Sequence, residues 1–172
     1  MKVVRLRGGG FAVKHGGLFY AEGSTRDLAV PQRVLELIKA CGLDLDPTPY
    51  VLEGRLGINR LLGEAFEECV AKTLSGYKVE RHKKAFEPVG RIAGRRVHSF
   101  PDFVVEGKIA IEAKVGDCDD AQVLEYAKKF PIGAVVFPFS GFCRIPKGWR
   151  IFQWLVKDPK PFLDWLKISL GK

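Results

Sequence analysis

The segment PDFVVEGKIAIEAK, residues 101–114, constrains the fold more than any other part of the chain. Two β-prone runs flank Glu106 and Gly107, a pair suited to a tight turn, so the segment reads as an antiparallel hairpin. Strand side chains alternate between faces. Ile109, Ile111, Ala113 and Val115 therefore share one apolar face that belongs in a core, while Glu112 and Lys114 share the other. With the turn at Glu106 and Gly107, Asp102 comes opposite Glu112 or within one residue of it, and cross-strand neighbours lie roughly 5 Å apart. Two carboxylates and one amine thus converge at one end of the hairpin.

Patterning on either side extends the fold. Residues 2–22 alternate short apolar runs with glycines (VVRL, GGG, FAVK, HGG, LFYAEG) and read as two or three short strands joined by tight turns. Pro31 opens a helix in which Val34, Leu35, Leu37, Ile38 and Cys41 recur at helical spacing until Gly42 stops it. LDLDPTPY, residues 43–50, breaks either periodicity with two prolines and predicts a linker, with a domain boundary near residue 52. From Gly57 to about Leu74 the spacing predicts an amphipathic helix with Leu62, Phe66, Cys69, Val70 and Leu74 on one face, ended by Gly76.

YKVERH then reads as a short strand and AFEPVGRIAGRRVHS as a glycine-punctuated loop or hairpin. Residues 117–130 predict a helix, IGAVVFP a buried strand, WRIFQWLV a further strand, and PKPFLDWLKISL a terminal helix opened by Pro161. The expected fold is α/β. A mixed central sheet flanked by helices occupies residues 53–172, and residues 1–52 add a small hairpin-and-helix module for accessory or dimerisation purposes.

Hydrophobic residues make up 47% of the chain and charged residues 28%, which excludes a disordered polymer, and no apolar run approaches the roughly 18 residues of a membrane span. The N-terminus MKVVRLRGGG lacks the apolar stretch of a secretion signal, so a cytoplasmic location is expected. Cys41, Cys69, Cys118 and Cys143 are widely separated without a CxxC pair, and reduced, structural cysteines are expected. One Asn and three Gln among 172 residues lean toward a thermophilic source, because amides are thermolabile.

The formal charge of +8 points to an acidic partner, with nucleic acid the foremost class. Basic residues gather at Arg81, Lys83 and Lys84, at Arg91, Arg95 and Arg96, at Lys128 and Lys129, and at Arg144, Lys147 and Arg150.

Paired carboxylates beside a lysine have a chemistry. Two close carboxylates repel unless a cation shares them, and hard Mg²⁺ takes oxygen ligands while keeping waters and substrate phosphate in its other positions. Bound metal lowers the pKa of a water and neutralises charge developing on a phosphate. Lys114 can orient or deprotonate that water or stabilise the pentacovalent phosphate, and the residues leave these roles open. Of the glutamates on the preceding helix, Glu67 lies nearest the edge of the apolar stripe, while Glu64 and Glu68 point more fully to solvent. Gln122 and Tyr126 sit one turn apart on the following helix, where an amide and a phenol can contact the lysine or a phosphate.

A helix with a glutamate, PD at a strand start, ExK on the next strand, then a helix and an apolar strand resembles the PD-(D/E)xK nuclease superfamily over residues 57 to about 155. Within it, GEAFEECVAKTLSGYKVERH, PDFVVEGKIAIEAK, AQVLEYAKKFPIGAVVF and KGWRIF look most like the archaeal Holliday junction resolvases. The resemblance implies a restriction-endonuclease-like core, binding of Mg²⁺ or Mn²⁺ by Asp102 and Glu112 with the Ala113 backbone carbonyl, and a catalytic Lys114. It also implies a homodimer acting on branched DNA in recombination or repair. A glutamate four residues after a glycine in the first helix joins the metal site of that family, which here is Glu67, four residues after Gly63. Gln122 with Tyr126 is similar to the QxxxY motif of recombination exonuclease domains. Gln122, Tyr126 and the basic residues Arg81, Lys83, Lys84, Arg91, Arg95 and Arg96 are the expected nucleic-acid contacts.

Two other readings stand beside this one. An RNA-processing endonuclease would use His98 as a general base. A non-catalytic nucleic-acid-binding subunit would keep the fold, and it has no need of the Asp102, Glu112 and Lys114 cluster.

Overall fold

The structure, a computed structural model, describes residues 2–5, 10–15, 18–24, 31–45, 47–51, 53–82, 100–116 and 118–172. The chain divides into two compact units, Met1–Ala65 and Phe66–Lys172. In the first, β1 (Lys2–Arg5), β2 (Gly10–His15) and β3 (Leu18–Ser24) form an antiparallel sheet in that order. Helix α1 (Gln32–Ala40) begins after Pro31 and buries Val34 and Leu37, whereas Leu35 faces solvent. Its end is closed by paired backbone bonds, Gly42 N–H to Lys39 O (3.1 Å) and Leu43 N–H to Ile38 O (3.0 Å), with Gly42 at φ 56° where glycine carries no steric penalty. The expected linker is only partly irregular, because Thr48–Val51 forms a short helix, α2. Pro49 sits within its first turn, where a missing N–H costs nothing.

Helix α3 (Gly54–Thr73) runs from the first unit into the second. Its predicted stripe holds in the second unit, where Phe66, Cys69, Val70 and Leu74 are all buried. A five-stranded mixed sheet follows, in the order β4 (Val79–Arg81), β5 (Phe103–Val105), β6 (Ile109–Ala113), β7 (Ile132–Val136) and β8 (Trp149–Phe152). The β4–β5 and β5–β6 pairs are antiparallel, and the β6–β7 and β7–β8 pairs parallel. Parallel neighbours need a crossover. Helix α4 (Asp120–Ala127) supplies it between β6 and β7, and α5 (Lys160–Ser169) closes the chain with Pro161 in its first turn.

Helices cover both faces of the sheet. Val123 and Tyr126 of α4 pack with Ala110, Val135, Phe137, Cys143 and Trp149, with Ile151 against the same cluster. The next residue, Phe152, points to the opposite face and meets Phe162 and Trp165 of α5 at ring-centroid distances of 5.4 and 5.3 Å. Every residue of β6 is consequently buried. The face carrying Glu112 is thus covered by α4, where strand alternation alone leaves it open.

Two further expectations change. β8 ends at Phe152, short of the predicted WRIFQWLV, because Trp154 turns the chain at φ 58° and Leu155 donates back to the Phe137 carbonyl (3.1 Å). The cysteines are not reduced: Cys118, just before α4, and Cys143, in the β7–β8 loop, form a disulfide with Cα atoms 5.3 Å apart, and none of the four cysteines is free. Their 25-residue separation hides a proximity that only the crossover creates. Among the described residues, no helix is long and apolar enough to cross a membrane.

Two glycines mark where the β7–β8 packing is tight. A Cβ on Gly133 would meet the Trp149 ring at 2.5 Å, the tryptophan lying directly opposite on β8. Gly148, at φ 90°, would press a Cβ to 2.3 Å from the Pro131 carbonyl oxygen, a backbone atom that cannot swing aside. Gly148→Ala is expected to cost about 2–4 kcal/mol, the left-handed strain and the displaced carbonyl together. Gly63→Ala, mid-helix with open space around it, should gain up to about 1 kcal/mol. Denaturant melts of the two variants measure the contrast, and equal effects would contradict this packing.

Candidate active site

The β5–β6 hairpin turns at Glu106 and Gly107, whose φ values of 52° and 67° are both left-handed, with Lys108 N–H bonded to Val105 O (3.0 Å). This primed-turn geometry suits the strand twist. It sets the register Val105 to Ile109, Val104 to Ala110 and Phe103 to Ile111, so the next pair outward is Asp102 and Glu112. The pair interlocks: Asp102 N–H donates to Glu112 Oε2 (3.2 Å), and Ala113 N–H donates to Asp102 Oδ2 (2.9 Å). Both carboxylates are buried, Asp102 2% and Glu112 0% exposed. A strand residue directs its N–H and C=O to the same neighbour, so the Ala113 carbonyl also faces the Asp102 strand. On the other side Lys114 N–H bonds Val136 O (3.0 Å), tying the site to β7.

Lys114 Nζ lies 2.8 Å from Glu112 Oε1 and donates to Gln122 Oε1 at 3.0 Å. Gln122 thus contacts the lysine through its amide oxygen. Gln122 is in place because α4 starts at a defined residue: Asp119 caps it, its Oδ1 accepting from Ala121 N–H (3.1 Å) and Gln122 N–H (3.3 Å). Asp119 was not among the expected site residues, although an aspartate just ahead of a helical run is a legible N-cap. Asp120 accepts from Arg144 N–H at 2.9 Å and so docks the β7–β8 loop on the same turn.

Tyr126 is a core residue, 2% exposed. Burial, then the nearby Glu112 and Asp102 carboxylates, push its phenol well above the ordinary tyrosine range. It stays protonated and cannot serve as a base.

Glu67 follows the order read from the helical wheel. Its side chain is 19% exposed, against 43% for Glu68 and 45% for Glu64. It lies beside Arg81, whose Nη2 is 3.9 Å from Glu67 Oε2 and whose Nη1 is 2.7 Å from Glu68 Oε1. Arg81 also pairs across the sheet with Phe103, next to Asp102, and its guanidinium lies over the Phe103 ring. Arg81 is thus engaged in holding α3 carboxylates to the sheet. Lys83, Lys84, Arg91, Arg95, Arg96 and His98 lie outside the described residues.

Three potential metal-ligating atoms come within 4.8 Å of one another, among the described residues, only at Cys118, Asp120 and Cys143, and those two sulfurs are bonded together. Glu67, Asp102 and Glu112 are not gathered so tightly. The Asp102 and Glu112 pair still fits a hard divalent cation. Asp102 and Glu112 are buried oxygen donors on one hairpin, and Mg²⁺ is commonly held by one or two carboxylates with water and phosphate completing its shell.

No family model, no curated protein and no solved structure matches this chain.

Proposed function

We propose that the chain is a metal-dependent nuclease that hydrolyses DNA phosphodiester bonds on a restriction-endonuclease-like core, with branched or junction DNA as its preferred substrate. The observation that carries this reading is the buried Asp102 and Glu112 pair opposed across one hairpin, with Lys114 at 2.8 Å from Glu112. Asp102 and Glu112, with the Ala113 carbonyl, would hold Mg²⁺ or Mn²⁺, and Glu67 of α3 would join them. When bound, the metal supplies a water of lowered pKa and charge neutralisation at the phosphate.

The chain's own residues account for the remainder. Glu112 and Gln122 clamp the Lys114 ammonium from two sides, so its position is set before substrate arrives and needs no reorganisation. Lys114, whose side chain is 13% exposed, then donates to the phosphate or to the attacking water. Tyr126, protonated and packed beneath these groups, keeps water from the inner side of the sheet.

A cleavage panel of four-way junction, flap, single-stranded and duplex DNA, with RNA alongside, tests the reading. Cutting is expected with Mg²⁺ or Mn²⁺ and not in EDTA, and cleavage that persists in EDTA would overturn the metal mechanism. The net charge of +8 further predicts a steep salt dependence. Six or so phosphate contacts lower affinity about 10³-fold between roughly 50 and 200 mM salt. Anisotropy titrations across that range check it, and salt-independent binding would remove nucleic acid as the partner.

A further inference from the structure

Two chain segments meet where α4 begins. Cys118 lies one residue ahead of the Asp119 cap, Asp120 opens the helix, and Cys143 comes from the β7–β8 loop. Their ligand atoms, two sulfurs and a carboxylate oxygen, all lie within 4.8 Å of one another. Asp120 Oδ1 is 3.6 Å from Cys143 Sγ and also accepts the Arg144 N–H at 2.9 Å. The nuclease chemistry uses none of the three.

Oxidised, the two sulfurs are bonded together and offer no thiolate, the form in which cysteine ligates metal. A dithiol reductant changes that. It gives up two electrons and two protons: the Cys118–Cys143 bond breaks, two thiols form, and the reductant closes its own disulfide. What results is a donor set of two thiols and a carboxylate, on two segments that the Asp120 bond to Arg144 N–H still joins. Metal binding then releases the two thiol protons, so affinity rises with pH.

Two thiolates select a soft or borderline cation over Mg²⁺, and sulfur with oxygen in a tetrahedral array suits zinc. The spacing agrees. With Zn–S about 2.3 Å and Zn–O about 2.0–2.2 Å, tetrahedral sulfur and oxygen ligands stand roughly 3.6 Å apart. Cys143 Sγ and Asp120 Oδ1 already have that separation. The two sulfurs must part to roughly 3.8 Å, which side-chain rotation supplies. Two thiolates and a carboxylate around a divalent cation leave one net negative charge, which the N-terminus of α4 favours. Cys143 is buried while Cys118 and Asp120 are half-buried, so the cation has a path in and water completes its shell.

We propose that Cys118, Asp120 and Cys143, once the bridge is reduced, form a zinc site that clamps the β7–β8 loop to the first turn of α4. Disulfides do not persist in a reducing compartment, and there the metal holds the same two segments. The site is distinct from the Asp102 and Glu112 pair and does not rest on the nuclease reading.

Full-length protein is reduced with a phosphine, freed of it under argon and titrated with Co²⁺, a spectroscopic stand-in for zinc. Thiolate-to-cobalt charge-transfer absorption and tetrahedral visible bands should appear on binding, and Zn²⁺ should abolish them. Carboxylates give no thiolate absorption, so Asp102 and Glu112 cannot imitate the signal. Cys118→Ser should cut the charge-transfer absorption by about half or more. Asp120→Asn, which keeps an oxygen for the Arg144 N–H, should weaken Co²⁺ binding about tenfold or more. Reduced parent and variants all lack the bridge, so its loss cancels in the comparison. Zn²⁺ should also raise the Tm of the reduced parent more than that of reduced Asp120→Asn. A reduced parent without the thiolate band overturns the site. Bands of parental strength and affinity in both variants overturn it too, and place the metal at Cys41 or Cys69.

Discussion

Asp102→Asn and Lys114→Ala are each expected to lower Mg²⁺-dependent DNA cleavage by at least about 10²–10³-fold while DNA affinity stays within about twofold. The asparagine keeps an oxygen for the Ala113 N–H that Asp102 Oδ2 now accepts at 2.9 Å, so the hairpin register survives and only the charge is lost. Removing that charge leaves one carboxylate for the cation where two now face each other. The lysine change removes the group 2.8 Å from Glu112 and 3.0 Å from Gln122. Single-turnover cleavage with matched anisotropy titrations separates chemistry from binding, and circular dichroism melts separate lost chemistry from lost fold. Two folded variants that cut at the parent rate would show that the site has been assigned to the wrong residues.

The second large effect concerns stability. Opening the Cys118–Cys143 disulfide, by reduction or by changing both residues to serine, should destabilise the second unit by about 3 kcal/mol, since the bridge closes a loop of 25 residues. For a unit of this size that is on the order of a 10 °C fall in Tm. Cys143 is buried in the cluster with Val123, Tyr126 and Phe137, so the bridge also pins the β7–β8 loop to the helix that presents Gln122. Alkylation of unreduced, unfolded protein followed by mass spectrometry checks the starting state. Four labelled thiols would contradict the bridge and restore the expectation of reduced cysteines.

Much of the architecture was legible because it repeats locally. The hairpin around Glu106 and Gly107, the buried stripe of α3 and the apolar strand β7 each follow from a periodicity of two or 3.6 within one element. The opposition of Asp102 and Glu112 followed too, since a turn position and the pleat fix a register. Where the reading failed, the cause lay outside the element concerned. β8 stops early because Trp154 is held by the β7 side of the fold, and the 43–50 segment contains a helical turn that two prolines had argued against.

By itself the sequence determined which chemical groups lie on one hairpin: two carboxylates and a lysine at alternating positions. Alternation is a property of the backbone and needs no partner. Tertiary structure alone decided that this face is closed. Helix α4 crosses back over it, burying Glu112 and Asp102 and delivering Gln122 to Lys114, while the same crossover brings Cys118 to Cys143. It also decided that Asp120 stands beside Cys143, because only the order and direction of strands place residues so far apart in the chain side by side.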